Sequence, residues 1–252
     1  MPAARVPARE KSRRCEGRLR SGNGRCGLPT GERPAILRPV NDSFASPAGP
    51  RLRGAIETVY RVFQTTPPKA IEGCPCCLPG RRTDVLLATP LRDIGGQALW
   101  SYVSGAYLTV GDDQDFRYFL PRILEVSVVD PANANSPEIV LGKLKLASWR
   151  SWRPAEQRAI EDFVDAWFDH AVANDVAEAE RAWLPVEAES VLCGAARAEM
   201  PLEPWLIRLH EPRAAAVLAD LRRRYPGELS GFWDRDSPAF REFSAILSQG
   251  CA

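Results

Sequence analysis

The chain has 252 residues, which is enough for one large domain or two small ones. Its hydrophobic content of 45% and charged content of 26% are ordinary for a soluble globular protein. The formal net charge is +1, so overall charge gives no reason to expect a nucleic acid or a membrane surface as partner. No apolar run approaches the roughly 20 residues that a membrane-spanning helix requires.

Cysteine usage and the N-terminal residues bear on the cellular compartment. The seven cysteines are odd in number and unevenly spaced, which argues against a disulfide framework. The N-terminal arginines are not followed by the apolar segment of a secretory signal. We therefore expect a cytoplasmic protein.

Residues 1–52 are rich in Pro, Gly, Ser and Arg and show no apolar periodicity. They offer too little apolar surface to offset the entropy lost on ordering, so we predict a disordered basic tail. A solvated tail, or upstream DNA translated from a wrongly chosen start codon, explains this composition. The functional alternative is nucleic-acid contact through its arginines. These are Arg13, Arg14, Arg18, Arg20 and Arg25.

From residue 53 onward, apolar residues recur every three to four positions, the spacing of one face of an α-helix. One helix contains Phe116 and Phe119, and we expect Pro121 to lie on its polar face and to bend it. The strongest pattern spans residues 154–173, with Phe163, Trp167 and Phe168 in its apolar stripe. The apolar stripe predicted for the helix at 96–108 includes Trp100. In chain order, the predicted helices are 54–65, 96–108, the Phe116 helix, a helix from Pro137, 154–173, 186–199, a short helix at Trp205, 212–225 and a last helix from Pro238.

No segment has a convincing strand pattern, and only 84–87 and 127–129 have the composition for one. We predict a single all-α domain over residues 53–252, with about eight helices in layers, joined by Pro-rich turns. Consecutive helices paired as antiparallel hairpins are one arrangement of this kind. No fixed-period repeat is present, so a regular solenoid is a secondary alternative.

Three thiols, those of Cys74, Cys76 and Cys77, fall within four residues of a loop at 71–81. Thiolates are strong zinc ligands, but a structural zinc site needs four ligands, usually as two separated pairs. A redox role is a second interpretation, although the βαβ setting typical of redox Cys-x-x-Cys motifs is missing. A third interpretation is that these are small half-buried residues in a tight turn. The remaining zinc-ligand candidates are Cys193, His170 and His210.

The turn that ends with Asp112 and Asp113 brings two carboxylates to a predicted helix start, where a capping role explains them. The next helix carries Arg117, Tyr118 and Arg122 on its polar side. Arg and Tyr are enriched at protein interfaces. We therefore predict that these five residues, with the cysteine loop, form a contact surface for another protein.

An acidic stripe runs along the longest predicted helix, where Glu161, Asp165 and Asp169 are spaced four residues apart. Such a row can hold a metal or a basic partner. A solvated outer face is the simpler explanation, because a di-metal bundle needs paired Glu residues and Glu-x-x-His motifs that this sequence lacks.

Catalytic motifs give no support for an enzyme. The two histidines are not part of any triad-like set. The sequence contains no Gly-x-Ser-x-Gly elbow, phosphate-binding loop, His-Glu-x-x-His motif or dinucleotide fingerprint.

Several segments resemble a group of uncharacterised bacterial proteins that have a Cys-Pro-x-Cys-type loop followed by a Phe-x-x-Phe-Leu-Pro-Arg helix. The resemblance covers about residues 55–173 and does not cover the basic tail. It implies a small helical cytoplasmic protein and no known activity. The segments are Glu72–Cys77, Thr89–Arg92, Thr109–Gly111 and Asp113–Glu125.

The sequence therefore leads to three functional expectations. The first is a protein-binding or scaffold module with no cofactor. The second is a zinc-binding protein, structural or catalytic, that uses the cysteine cluster. The third is nucleic-acid contact through the N-terminal tail.

Overall fold

A computed structural model describes residues 48–78, 83–180 and 186–249. Within these ranges the chain forms ten α-helices and no β-strand, which confirms the all-α prediction. Residues 1–47 of the predicted tail lie outside them. The helices are α1 (Pro50–Val62), α2 (Thr83–Ala88), α3 (Gly96–Gly105), α4 (Asp113–Val129), α5 (Pro137–Leu146), α6 (Pro154–Ala179), α7 (Glu187–Arg197), α8 (Glu203–Leu209), α9 (Ala215–Arg224) and α10 (Pro238–Ser248).

The longest helix is α6, which packs against α1, α7 and α9. Its predicted apolar stripe, including Phe163, Trp167 and Phe168, is fully buried. The helix continues to Ala179 instead of ending near residue 173. None of the helices in the described ranges combines the length and the apolar character needed to cross a membrane.

The first helix begins earlier than predicted. Pro50 occupies the first turn of α1, and Leu52 is buried. Residues 50–52 therefore belong to the folded part of the chain and not to the tail. Pro at the first helical position is a common helix start, because its missing N–H is one that would have no partner there.

The α4 helix has apolar contacts on more than one side. Its predicted stripe, from Phe116 to Leu124, is buried as expected. Pro121 is buried too, so its predicted position on a polar face is wrong. The reason is that α4 packs against α1, α3 and α5, which leaves little of it facing water.

Helix α3 differs from its prediction in the exposure of one stripe residue and in the position of its C-terminal end. Trp100 is 48% exposed, although its spacing placed it among the apolar residues of the stripe. The helix ends at Gly105 because the chain then turns sharply, with Tyr107 at a positive φ of 61°. Residues 84–87, whose composition suited a strand, lie within the short helix α2.

In the C-terminal half, polar groups join elements that are distant in sequence. The indole N–H of Trp149 donates to the Ala198 carbonyl at 2.9 Å. The buried Glu189 carboxylate on α7 pairs with Arg224 of α9 and accepts from the Trp233 indole. The bond from Trp233 fixes the loop before α10 against α7.

Candidate functional site

The three clustered cysteines lie in a turn between α1 and α2, which we call the thiol turn (residues 72–78). The Cys77 and Leu78 N–H groups both donate to the Cys74 carbonyl at 2.9 Å, which closes the turn. This folding brings all three sulfur atoms within 4.8 Å of one another.

The backbone of the thiol turn is bonded to the segment that precedes α4. The Cys74 N–H donates to the Thr109 carbonyl at 2.8 Å, and the Gly111 N–H donates to the Glu72 carbonyl at 2.7 Å. A Cβ atom on Gly73 would lie 2.6 Å from the Thr109 carbonyl oxygen, so this close approach requires glycine. The thiol turn therefore has a fixed place beside the start of α4.

The sulfur atoms are close enough to share one ligand. The Cys74 and Cys76 sulfurs are 2.9 Å apart, and the Cys76 and Cys77 sulfurs are 3.7 Å apart. Cys76 is exposed, whereas Cys74 and Cys77 are half-buried. Solvent and dissolved ions can therefore reach the cluster directly.

The thiols also shift one another's protonation. A hydrogen bond from the Cys76 thiol lowers the pKa of Cys74. The same sulfur–sulfur interaction, reinforced by Cys77, raises the pKa of Cys76 to about 11. Cys74 is therefore the first of this pair to form a thiolate, and a thiolate is the form that binds metals.

None of the distant residues considered as further ligands joins the cluster, which contains only thiols among the described residues. Cys193 is fully buried on α7, and burial raises its pKa to about 12. The His170 ring lies 3.2 Å from the Asn174 amide on α6. The proposal that Cys193 or a histidine completes the site therefore fails within the described ranges.

A second cluster of the predicted site residues surrounds the start of α4. Asp112 caps the helix, and its side chain accepts from the Asp115 N–H at 3.0 Å. Asp112, Asp113 and Arg117 line an open cleft of about 660 Å³ together with Glu156. Arg117 pairs with the buried Glu156 carboxylate and lies 4.6 Å from the Trp152 ring centre.

Tyr118 and Arg122 contact other parts of the molecule. Arg122 donates to the Ile94 carbonyl at 2.8 Å and to the Glu125 carboxylate at 2.6 Å. Tyr118 is half-buried, with its ring edge against Phe119. The five residues predicted to form one contact surface are thus divided between the cleft and internal packing, and their binding role stays a prediction.

The simplest explanation of the acidic stripe, a freely solvated outer face, is wrong for two of its residues. The Asp165 and Asp169 carboxylates pair with Arg51 of α1 and Arg208 of α8. The Trp205 indole also donates to Asp165 at 2.8 Å. We call these residues the acidic junction, because they join α6 to α1 and to α8. Glu161 lies outside it and pairs with Arg150 at 2.5 Å.

Two further features bear on function. Leu108 lies at the tip of the turn at 107–110, which is next to the thiol turn, and it is 65% exposed. The arginines proposed to contact nucleic acid fall within residues 1–47 and lie outside the described residues, so that role stays a prediction.

Comparison of this chain with protein-family models, with curated proteins and with solved structures finds no match. The resemblance to a helical bacterial group therefore stays a prediction.

Proposed function

We propose that this protein binds a thiophilic metal ion, with zinc as the best match, through Cys74, Cys76 and Cys77. The observation that carries the proposal is that their three sulfur atoms lie within 4.8 Å of one another. Zinc binds thiolates at about 2.3 Å in a tetrahedron, which places sulfur atoms about 3.8 Å apart. The three thiolates would fill three positions and a water the fourth, the open type of zinc site and not the closed structural type. Soft thiolate ligands favour zinc or Cu(I) over calcium or magnesium.

The observed distances are near this geometry. The separation between the Cys76 and Cys77 sulfurs, 3.7 Å, already matches the edge of a zinc–thiolate tetrahedron. The Cys74 and Cys76 sulfurs, 2.9 Å apart, must separate by about 0.9 Å. Rotation of the Cys74 side chain can supply such a change and leaves the Cys76–Cys77 separation as it is.

The fixed backbone supports binding because it brings the ligands together before the ion arrives. The turn is closed by bonds to the Cys74 carbonyl and is attached to Thr109 by the Cys74 N–H. An ion that binds an ordered set of ligands has less chain entropy to offset than one that must order a loop.

Metal analysis of the purified protein tests this proposal. The full chain is purified under reducing conditions without chelator, and zinc is measured by mass spectrometry. We expect about one zinc ion per chain, and a Cys76→Ser variant that retains little or none. Cys193→Ala is the matched control: it removes a thiol far from the cluster, and its zinc content should equal that of the wild type.

Thiol titration of the same samples distinguishes the redox alternative. A metal-free, folded wild-type protein with all cluster thiols titratable would overturn the metal proposal. In a second preparation made without reductant, a disulfide between two of the cluster cysteines in metal-free protein would favour redox chemistry instead.

A further inference from the structure

We infer that an open groove beside α10 binds a basic and apolar segment of another protein. The groove has a volume of about 900 Å³. It lies among the C-terminal ends of α5 and α7, the connection at 199–202 and the first turn of α10. It shares no lining residue with the thiol turn, so the inference is independent of metal binding.

The floor of the groove is apolar. Met200, Leu202 and Trp233 line it and belong to the hydrophobic core, with at most 6% of each residue exposed. At its edge, Leu146 is 47% exposed. Single exposed apolar residues are ordinary, whereas contiguous apolar surface rimmed by polar residues marks an interaction site.

A second exposed apolar residue contacts Arg197, one of the residues that line the groove. Phe232 is 42% exposed, and the Arg197 guanidinium lies 5.4 Å from its ring centre. Arg197 itself lines the groove and donates to the Phe232 carbonyl at 3.2 Å. The apolar surface available to a partner therefore extends beyond the cavity.

The groove is lined by more acidic than basic side chains. Of the two basic residues that line it, Lys145 pairs with Glu199 at 2.8 Å, and Arg197 donates to the Glu138 and Phe232 carbonyls. Three further acidic residues line one wall and form no ion pair among the described residues. These are Asp234, Asp236 and Glu242.

The arginines near this wall do not neutralise it directly. Arg235 donates to the Pro226 carbonyl at 3.1 Å, and Arg241 donates to the Asp236 carbonyl at 2.5 Å. Both contacts are with backbone oxygens, which leaves the carboxylates of the wall open to a cation from outside. Charge complementarity therefore favours Lys or Arg on the partner, next to apolar side chains that cover the floor.

Binding of two labelled synthetic peptides tests the inference. One peptide, of about 14 residues, places lysines on one helical face and leucines on the other. The second has glutamate in place of each lysine. By fluorescence anisotropy at low salt, we expect the lysine peptide to bind at least about tenfold more tightly than the glutamate peptide.

Variants locate the binding. The triple change Asp234→Asn, Asp236→Asn and Glu242→Gln should weaken lysine-peptide binding about tenfold, and Leu146→Ser about fivefold. A control matched in charge neutralises three exposed carboxylates elsewhere: Asp84, Asp93 and Asp162, each changed to Asn. The apolar control is Ile207→Ser, since Ile207 is 61% exposed on α8.

Both controls should bind the peptide within about twofold of the wild type. Equal weakening by the groove variants and their controls would show nonspecific attraction and would overturn the inference. A dimer of the free protein that Leu146→Ser dissociates would assign the groove to a second copy of this chain, which also overturns it.

Discussion

The thiol turn and the acidic junction both gather chemically similar groups, but the fold treats them differently. On α6, burial opposes the charge of Asp165, but hydrogen bonds from Trp205, Arg51 and Arg208 outweigh it and lower its pKa. In the thiol turn, the cysteines interact with one another, and the described residues add no further ligand to their cluster. Groups neutralised by neighbours hold a fold together, whereas similar groups left together at the surface are available to a ligand.

The largest effect expected from this comparison is stabilisation by zinc. At free zinc about 1,000 times its Kd, the free energy of unfolding should rise by about 4 kcal/mol. Denaturant unfolding with and without zinc measures the gain, which Cys76→Ser should lose. Asp165→Ala should keep it within about 0.5 kcal/mol, because the two sites act independently. A gain of equal size in Cys76→Ser would place the ion elsewhere.

Breaking the acidic junction should have the next largest effect. Asp165→Ala leaves Arg51, Arg208 and the Trp205 indole without their shared acceptor. Because this junction is partly exposed, we expect a loss of about 2 kcal/mol in unfolding free energy, less than for a fully buried pair. Asp162→Ala, on the exposed side of the same helix, is the control and should change stability by less than about 0.5 kcal/mol. Similar losses in both variants would mean that the junction contributes nothing specific.

The pH dependence of zinc affinity should be smaller but easy to measure. A metal must displace the protons of the thiols, and the pKa of Cys76 is raised to about 11 by its sulfur neighbours. Affinity should therefore rise with pH, by at least about tenfold between pH 6 and pH 8, or about 1.4 kcal/mol. Competition with a zinc-sensitive dye, calibrated at each pH, measures this change. Affinity that does not vary with pH would contradict binding by these thiols.

The smallest expected effect concerns Asp115, a carboxylate without the arginines that Asp165 has. Burial, followed by the charges of Asp112 and Glu72, raises its pKa to about 6. Its protonated form is thus favoured in the folded state, so this stability is complete below the unfolded pKa of about 3.9 and is lost as the pH rises through 6. Asp115→Asn avoids the loss and should be about 1 kcal/mol more stable than the wild type at pH 8.

The matched measurement for Asp115→Asn is denaturant unfolding of both proteins at pH 8 and near pH 4. Near pH 4 the difference should largely disappear, because the wild-type carboxyl is then protonated in the folded state. A destabilised Asn variant at pH 8 would show that the charge at the start of α4 is favourable, as helix dipoles alone would suggest.

The sequence predicted the helices where one face is buried by several neighbours. Phe116, Phe119 and Trp167 are spaced for a helix and are buried, since their periodicity reflects the packing itself. Trp100 has the same spacing and is exposed, because periodicity indicates a face and not whether an element covers it. Pro121 shows the reverse error, since α4 has neighbours on sides that the sequence marks as polar.

The candidate sites were predictable to the extent that they are local. Cys74, Cys76 and Cys77 are adjacent in the chain, so their clustering could be expected before any tertiary contact was known. The acidic junction draws its arginines from α1 and α8, about 40 or more residues away along the chain. The groove beside α10 has no local motif, because three stretches of chain that are distant in sequence build it.

The attachment of the thiol turn to Thr109 and Gly111 has a practical consequence. The tip of that neighbouring segment is Leu108, which faces water and carries no sulfur. A fluorophore introduced there as an unnatural amino acid would lie next to the proposed metal site without competing for the ion. A change in its emission on adding zinc would then report how much of the site is occupied.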